Sequence, residues 1–326
     1  MDKMTILVGT AGQGVMRSVD GGDSWTRVGV TSGIHSDAVV RVMVVHPDDP
    51  NVLFIGTDQG LKRSDDAGAM WTRLGEELAD ACVWAIAIDS VEPNVMFAGT
   101  GTPGPAMLFR SDDAGASWRK LSMQAADECV AVGVPRVTGI AIDPVERNNI
   151  WVGIEVDGLR HSTDRGETWV TVDAIANPDV HSVAIADGAS KTIYVVVNNE
   201  VFTSSDDGDS WNAVGVKQAF PLTYPRSLRI DPLDPNVAYV TLGDTTPGTT
   251  GAVMRTPDRG ASWERVDLPV APNSAMWVVE VEAFDPSVLF AASRYGYLYR
   301  SDDGGATLRK LPREFSEISS VRWVPA

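Results

Sequence analysis

A chain of 326 residues with 44% hydrophobic side chains, 30 glycines and 19 prolines has the make-up of a folded globular protein, and no segment approaches the roughly 18 consecutive apolar residues of a membrane span. Its 44 acids against 27 lysines and arginines give a formal net charge of −17, which repels phosphate backbones and anionic lipid, so neither nucleic acid nor a membrane is expected as partner. Two cysteines, Cys82 and Cys129, make neither a disulfide framework nor a zinc site.

The first predicted strand is 5–10, and it enters the pattern of the chain with no charged and apolar leader before it, so a cytoplasmic location is expected. Ser18-Val19-Asp20-Gly21-Gly22-Asp23-Ser24-Trp25 follows, the first copy of a turn written Ser/Thr-x-Asp-x-Gly-x-x-Trp. Further copies begin at Ser64, Ser111, Ser162, Ser204, Thr256 and Ser301, at spacings of 46, 47, 51, 42, 52 and 45 residues. The seventh departs from the rest, ending on Leu308 where a Trp is due. A period of this size belongs to solenoids or to the blades of a propeller.

More than the turn recurs. Ahead of the second box stands 44–57, in which a short apolar run ends near Asp-Pro, a Pro-Asn turn follows, and a second apolar run carries Phe54. The same aromatic place holds Phe97, Trp151, Tyr194, Tyr239 and Phe290. Short runs rich in Val, Ile and aromatics, bounded by Gly, Pro, Asn and Asp, read as strands, and no stretch reads as a helix. The third repeat yields four, at 82–88, 95–100, 107–111 and 118–121. The chain opens on the second strand of a blade, and the final predicted strand, 318–324, matches the first-strand slot missing from blade 1. The prediction is an all-β, single seven-bladed β-propeller of four-stranded antiparallel blades over residues 1–326, with the C-terminal strand closing the N-terminal blade and leaving no open edge.

These turns resemble the Asp-box, or BNR repeat, of sialidases, xyloglucan-hydrolysing glycosidases, sortilin-type receptors and photosystem II assembly factors. The resemblance covers essentially the whole chain and implies the propeller fold; it implies no single function, because enzymes and binding proteins share it. The Phe/Tyr-Arg-x-Pro motif of sialidases is missing, so no catalytic residue carries over. Seven near-identical aspartates also read as scaffold, since one active site needs a unique constellation.

In the predicted blade order the boxes share a face with the Pro-Asn turns. Length variation falls on the other face, in the connections 120–137, 216–226 and 267–277 and the links 101–106 and 243–252. Loops on a rigid scaffold carry function, so residues breaking the repeat there are the candidates. His35 and His181 suit acid–base work, and Arg41 and Arg226 could hold a carboxylate or phosphate; these four are the candidate catalytic residues. Arg136 and Arg294 add further cations, Glu155, Asp157 and Glu280 could supply a carboxylate pair, and Trp84, Trp277, Tyr224 and Tyr295 could wall a ring-shaped ligand. The leading expectation is an intracellular hydrolase or lyase acting on a small organic molecule at the mouth of the propeller channel. The alternatives are a non-catalytic protein-binding scaffold or assembly factor, and a carbohydrate-active, sialidase-like glycosidase. No cofactor is expected, and a metal ion is left open.

Overall fold

The computed structural model describes residues 4–188 and 191–326. Seven four-stranded sheets follow one another along the chain, and they are the seven blades of a β-propeller. Blade 3 has its strands at Val83–Ile88, Met96–Thr100, Leu108–Ser111 and Arg119–Lys120, within one residue of the predicted bounds at every start. Blade 1 takes its second, third and fourth strands from Met4–Thr10, Val15–Ser18 and Thr26–Val28, and Ile318–Pro325 occupies its first place. The α-helical turn Val216–Ala219, with 3-10 turns at Val30–Ser32 and Glu76–Leu78, corrects the expectation of no helix. The α-helical turn forms because the Glu200 carboxylate accepts the Gly215 and Val216 amides at 3.0 and 3.1 Å, satisfying N–H groups that have no partner within the turn.

By contacts the chain forms two units, Met1–Val180 with Val324–Ala326, and His181–Trp323. In the first, the cores are built by aliphatic residues of successive blades with the box tryptophans at their rim: Leu7, Met43 and Ile55 with Trp71, Phe54 and Met96 with Trp118, and Leu108 and Val152 with Trp169. Val324 joins the core around Leu7. In the second, Leu228, Val240 and Met254 pack with Trp263, and Val279, Leu289 and Tyr299 pack with Leu308.

Each box is a closed set of hydrogen bonds. In the third, Ser111 Oγ donates to Asp113 and accepts the Gly115 amide, Asp113 accepts the Ser117 amide and hydroxyl, and Trp118 Nε1 donates to Gly115 O at 2.9 Å. The hydroxyl and amide donated by Ser24, Ser117 and Thr168, with the Ser18, Ser111 and Ser162 hydroxyls, hold Asp20, Asp113 and Asp164 down at about 2. These carboxylates are ionised and committed to their own turns. The boxes also bond to the Pro-Asn turns: Asn51, Asn94, Asn148 and Asn236 O accept amides of Ala67, Ala114, Arg165 and Arg259 at 2.9–3.0 Å. Both kinds of turn therefore stand at the same end of the blades, as the repeat predicts.

At the other end, where the first strands begin, five blades carry a register shift at one place among the described residues. The shifts fall between Val40 and Val42, Val83 and Ala85, Val137 and Gly139, Pro225 and Leu228, and Met276 and Val278. A bulge leaves one residue out of the ladder and re-aims its side chain. The residues so released include Arg41, Trp84, Thr138, Arg226 and Trp277.

Candidate functional site

In the first unit the bulges bring Arg41, Trp84 and Arg136 together. Two guanidiniums stack on the Trp84 ring, with Arg41 Cζ 4.0 Å and Arg136 Cζ 4.6 Å from its centroid. Its Nε1 donates to Thr102 O at 3.0 Å, which pins the ring to the extended link after the second strand. Gly101 in that link bridges to Arg136, and a Cβ on Gly101 would stand 2.3 Å from the Arg136 Cβ, so glycine is required for the approach. Arg136 is ion-paired with Glu155, whose side chain is only 7% exposed. Arg41 has no carboxylate within ion-pair distance among the described residues, and its Nε is buried without an acceptor. It lies against Cys82, whose thiol is pushed up by burial while Arg41 opposes that shift.

The second unit holds a counterpart. Trp277 carries Arg226 at 4.3 Å and Arg294 at 4.4 Å from its ring centroid. Arg294 Nη2 pairs with Glu317 at 2.8 Å and Nη1 donates to Thr246 Oγ1 at 3.1 Å, so another extended link stands beside this stack. Asp244 organises that link by accepting amides of Thr245 and Thr249 and the Thr249 hydroxyl. His181, which is buried, has Nδ1 2.8 Å from Pro225 O, and because a carbonyl only accepts, Nδ1 carries the proton. Its ring tilts against the buried Tyr224 at 5.1 Å.

Three candidates stand elsewhere. His35 is exposed in the connection before Val40–Val45, and no hydrogen bond of its ring is present among the described residues. Asp157 accepts Arg160 Nη2 at 2.7 Å and the Ala126 amide at 3.1 Å, bracing the 120–137 connection rather than meeting Glu155 as a carboxylate pair. Glu280 lies three residues beyond Trp277 along its strand, roughly 10 Å at about 3.3 Å per residue, and meets other partners. Tyr295 is at the edge: its ring is exposed while its amide and carbonyl are held by Ser274 and Asn273.

Glu280 belongs to a network of charges with Arg229, Arg322 and Glu282. Arg229 Nε donates to it at 2.8 Å, Arg322 pairs with the same carboxylate, and Arg322 Nε stands 3.5 Å from Glu282. Burial pushes Glu280 up, but the two arginines outweigh it and hold the carboxyl below its ordinary range. Glu282 has the opposite outcome: burial, only partly offset by Arg322 and reinforced by the Glu280 charge, pushes it up to about 7. A signal for these residues was available. Arg229 and Glu280 pair with Tyr239 and Phe290 in the register where other blades pair Val44, Ala87 and Ala141 with Phe54, Phe97 and Trp151. Charge replaces small apolar residues at one slot, which is a break in the repeat as clear as any loop insertion.

The box hydrogen bonds, seven times repeated in seven four-stranded sheets, decide the architecture. The chain is a seven-bladed β-propeller. Over residues 199–324 it matches the family model described as sortilin, neurotensin receptor 3. It is 26% identical over 213 residues to the xyloglucanase Xgh74A of Acetivibrio thermocellus, covering 53% of this chain and 25% of that protein. Among solved structures, the GH74 xyloglucanase of Xanthomonas campestris aligns with a TM-score of 0.65 at 23% identity, over 83% of this chain and 45% of that one. YCF48 bound to D1 peptide aligns with a TM-score of 0.58 at 15% identity, over 89% of this chain and 96% of that one. The propeller thus spans about a quarter of its curated xyloglucanase relative and nearly the full length of YCF48.

Proposed function

We propose that this propeller is a binding protein that holds an acidic segment of a protein partner, with Arg41 on Trp84 as the anchoring cation. A guanidinium stacked on an indole keeps its in-plane N–H edges for a planar acceptor, and a carboxylate fits them bidentately. Arg136 and Arg294 already use theirs on Glu155 and on Glu317 with Thr246. Arg41 is the member of the first stack without a carboxylate among the described residues, and that is the observation carrying the reading. The likeness to a peptide-bound YCF48 over most of both chains supports a protein partner. A surface of net charge −17 also confines anion binding to places where arginines gather.

The test uses a peptide array in which each acidic peptide is matched by its amide counterpart. Acid-dependent binding is expected to weaken with added salt and to fall about tenfold or more in Arg41→Ala, the loss of about 1.4 kcal/mol. Equal binding of the amide peptides, or an unchanged Arg41→Ala, overturns it. A hydrolytic role is favoured by the split pair Glu280 and Glu282, whose opposed shifts are those of a base and an acid, and by the xyloglucanase likeness. The same preparations incubated with xyloglucan decide it: release of reducing ends that Glu282→Gln abolishes and Arg41→Ala preserves would replace the binding reading.

A further inference from the structure

The seventh box differs from its sisters in more than one residue type. In boxes one, two, three, four and six, Trp Nε1 donates to the O of Gly22, Gly68, Gly115, Gly166 and Gly260 at 2.9–3.2 Å. The six-membered ring then lies over the same glycine. A Cβ built on Gly68, Gly115, Gly166 or Gly260 would meet Cζ2 of that box's Trp at 3.3–3.7 Å. The equivalent glycine of the seventh box is Gly305, where the atoms nearest to a Cβ would be those of the Tyr239 ring of the preceding blade, at 2.8–3.4 Å. Leu308, in the Trp place, is fully buried in the core around Val279 and Tyr299 and has no N–H to offer. Gly305 O accepts no hydrogen bond among the described residues, although the turn around it is otherwise complete, with Ser301 Oγ accepting the Gly305 amide at 2.9 Å.

A groove borders this turn. It has a volume of about 390 Å³ and is floored by Gly304, Gly305 and Val266 and walled by the Arg255–Glu264 pair at 2.8 Å. Arg265 stands at its rim, exposed and with no ion-pair partner among the described residues. We propose that this groove is a docking site for a tryptophan side chain of a protein partner, presented next to an acidic residue. The indole lies over Gly305 as the box tryptophans lie over their own glycines. Its N–H donates to Gly305 O, and the neighbouring carboxylate meets Arg265. Five other boxes of this chain display the occupant's shape and its hydrogen bond, and the unpaired guanidinium supplies the charge complement. A tryptophan anchored in a pocket beside a charge pair is also the residue type that carries most of the affinity in protein interfaces. This site is independent of the Arg41 reading and stands or falls separately.

The experiment titrates blocked dipeptide probes, N-acetyl-Trp-Asp-amide, N-acetyl-Trp-Asn-amide and N-acetyl-Leu-Asp-amide, into the full chain and follows backbone amide shifts by NMR. The Trp-Asp probe is expected to shift the Gly304, Gly305 and Ala306 amides, and the Leu-Asp probe to leave them at least about fivefold less responsive. Leu308→Trp, which places the chain's own indole in the groove, is expected to abolish the response. Arg265→Glu lies on the exposed strand and keeps the test open should Leu308→Trp fail to fold. It is expected to weaken the Trp-Asp probe about threefold or more while leaving the Trp-Asn probe within experimental error. Equal responses to Trp and Leu probes, shifts at amides remote from Gly305, or a Trp-Asp response unchanged in both variants overturns the proposal.

Discussion

Trp84 and Trp277 each carry two guanidiniums where a first strand begins, yet the acid that holds the first stack is buried and the acid that holds the second is only part-buried. In the first unit, Arg136 is paired with Glu155, 7% exposed, and the indole N–H is fixed to Thr102 O. In the second, Arg294 is paired with Glu317, 35% exposed, and Trp277 Nε1 makes no hydrogen bond among the described residues. The same chemistry built twice in one fold therefore differs in how much of its geometry the protein core enforces. A buried anchor leaves Arg41 on a rigid platform, whereas a part-buried one leaves its stack free to adjust.

The sharpest way to break the comparison is to remove the anchoring acids. Glu155→Gln leaves the Arg136 charge without its buried partner and is expected to cost about 3 kcal/mol in urea unfolding. Glu317→Gln should cost at most about 1 kcal/mol, because water already screens that pair. Equal losses would mean that the two stacks are equally anchored.

A smaller effect separates the units by pH. Glu282 in the second unit has a folded pKa of about 7, raised by burial above an unfolded value near 4.5. Its contribution to stability is fully present below pH 4.5 and is lost as pH rises to about 7, because the unfolded chain ionises first. Arg322, Glu280 and Arg229 face it and set the residual slope. The free energy of urea unfolding should fall across that window by up to about 2 kcal/mol, and Glu282→Gln should remove that part of the fall; a wild-type slope in the variant would rule the assignment out.

The smallest contrast is within the indoles. Trp84→Phe keeps a ring beside the arginines but loses the bond to Thr102 O, and about 1 kcal/mol of stability with it. Trp277→Phe, with no such bond among the described residues, should stay within about 0.5 kcal/mol of wild type by the same urea measurement.

Much of the fold was legible because the repeat states it seven times. Each box specifies its own hydrogen bonds within eight residues, so a local pattern suffices, and the strands of blade 3 fall almost where the spacing puts them. The candidate site was legible only in part. Arg41, Trp84, Arg136, Arg226, Trp277 and Arg294 were marked by departing from the repeat, and the structure gathers them. Their sorting into two stacks was hidden, because it depends on bulges that turn side chains out of the ladder. The partners of Glu280 are not legible in the sequence; strand pairing and packing bring it to Arg229 and Arg322.

By itself the sequence determined the propeller, the number of blades and the end of each blade that serves as scaffold, since these follow from contacts between residues close along the chain. Only the tertiary structure decided which arginine of the first stack has no carboxylate among the described residues, which carboxylate is driven to about 7, and where a groove borders the seventh box. Those properties depend on burial and on charges brought from distant strands, and neither is written in the order of the residues.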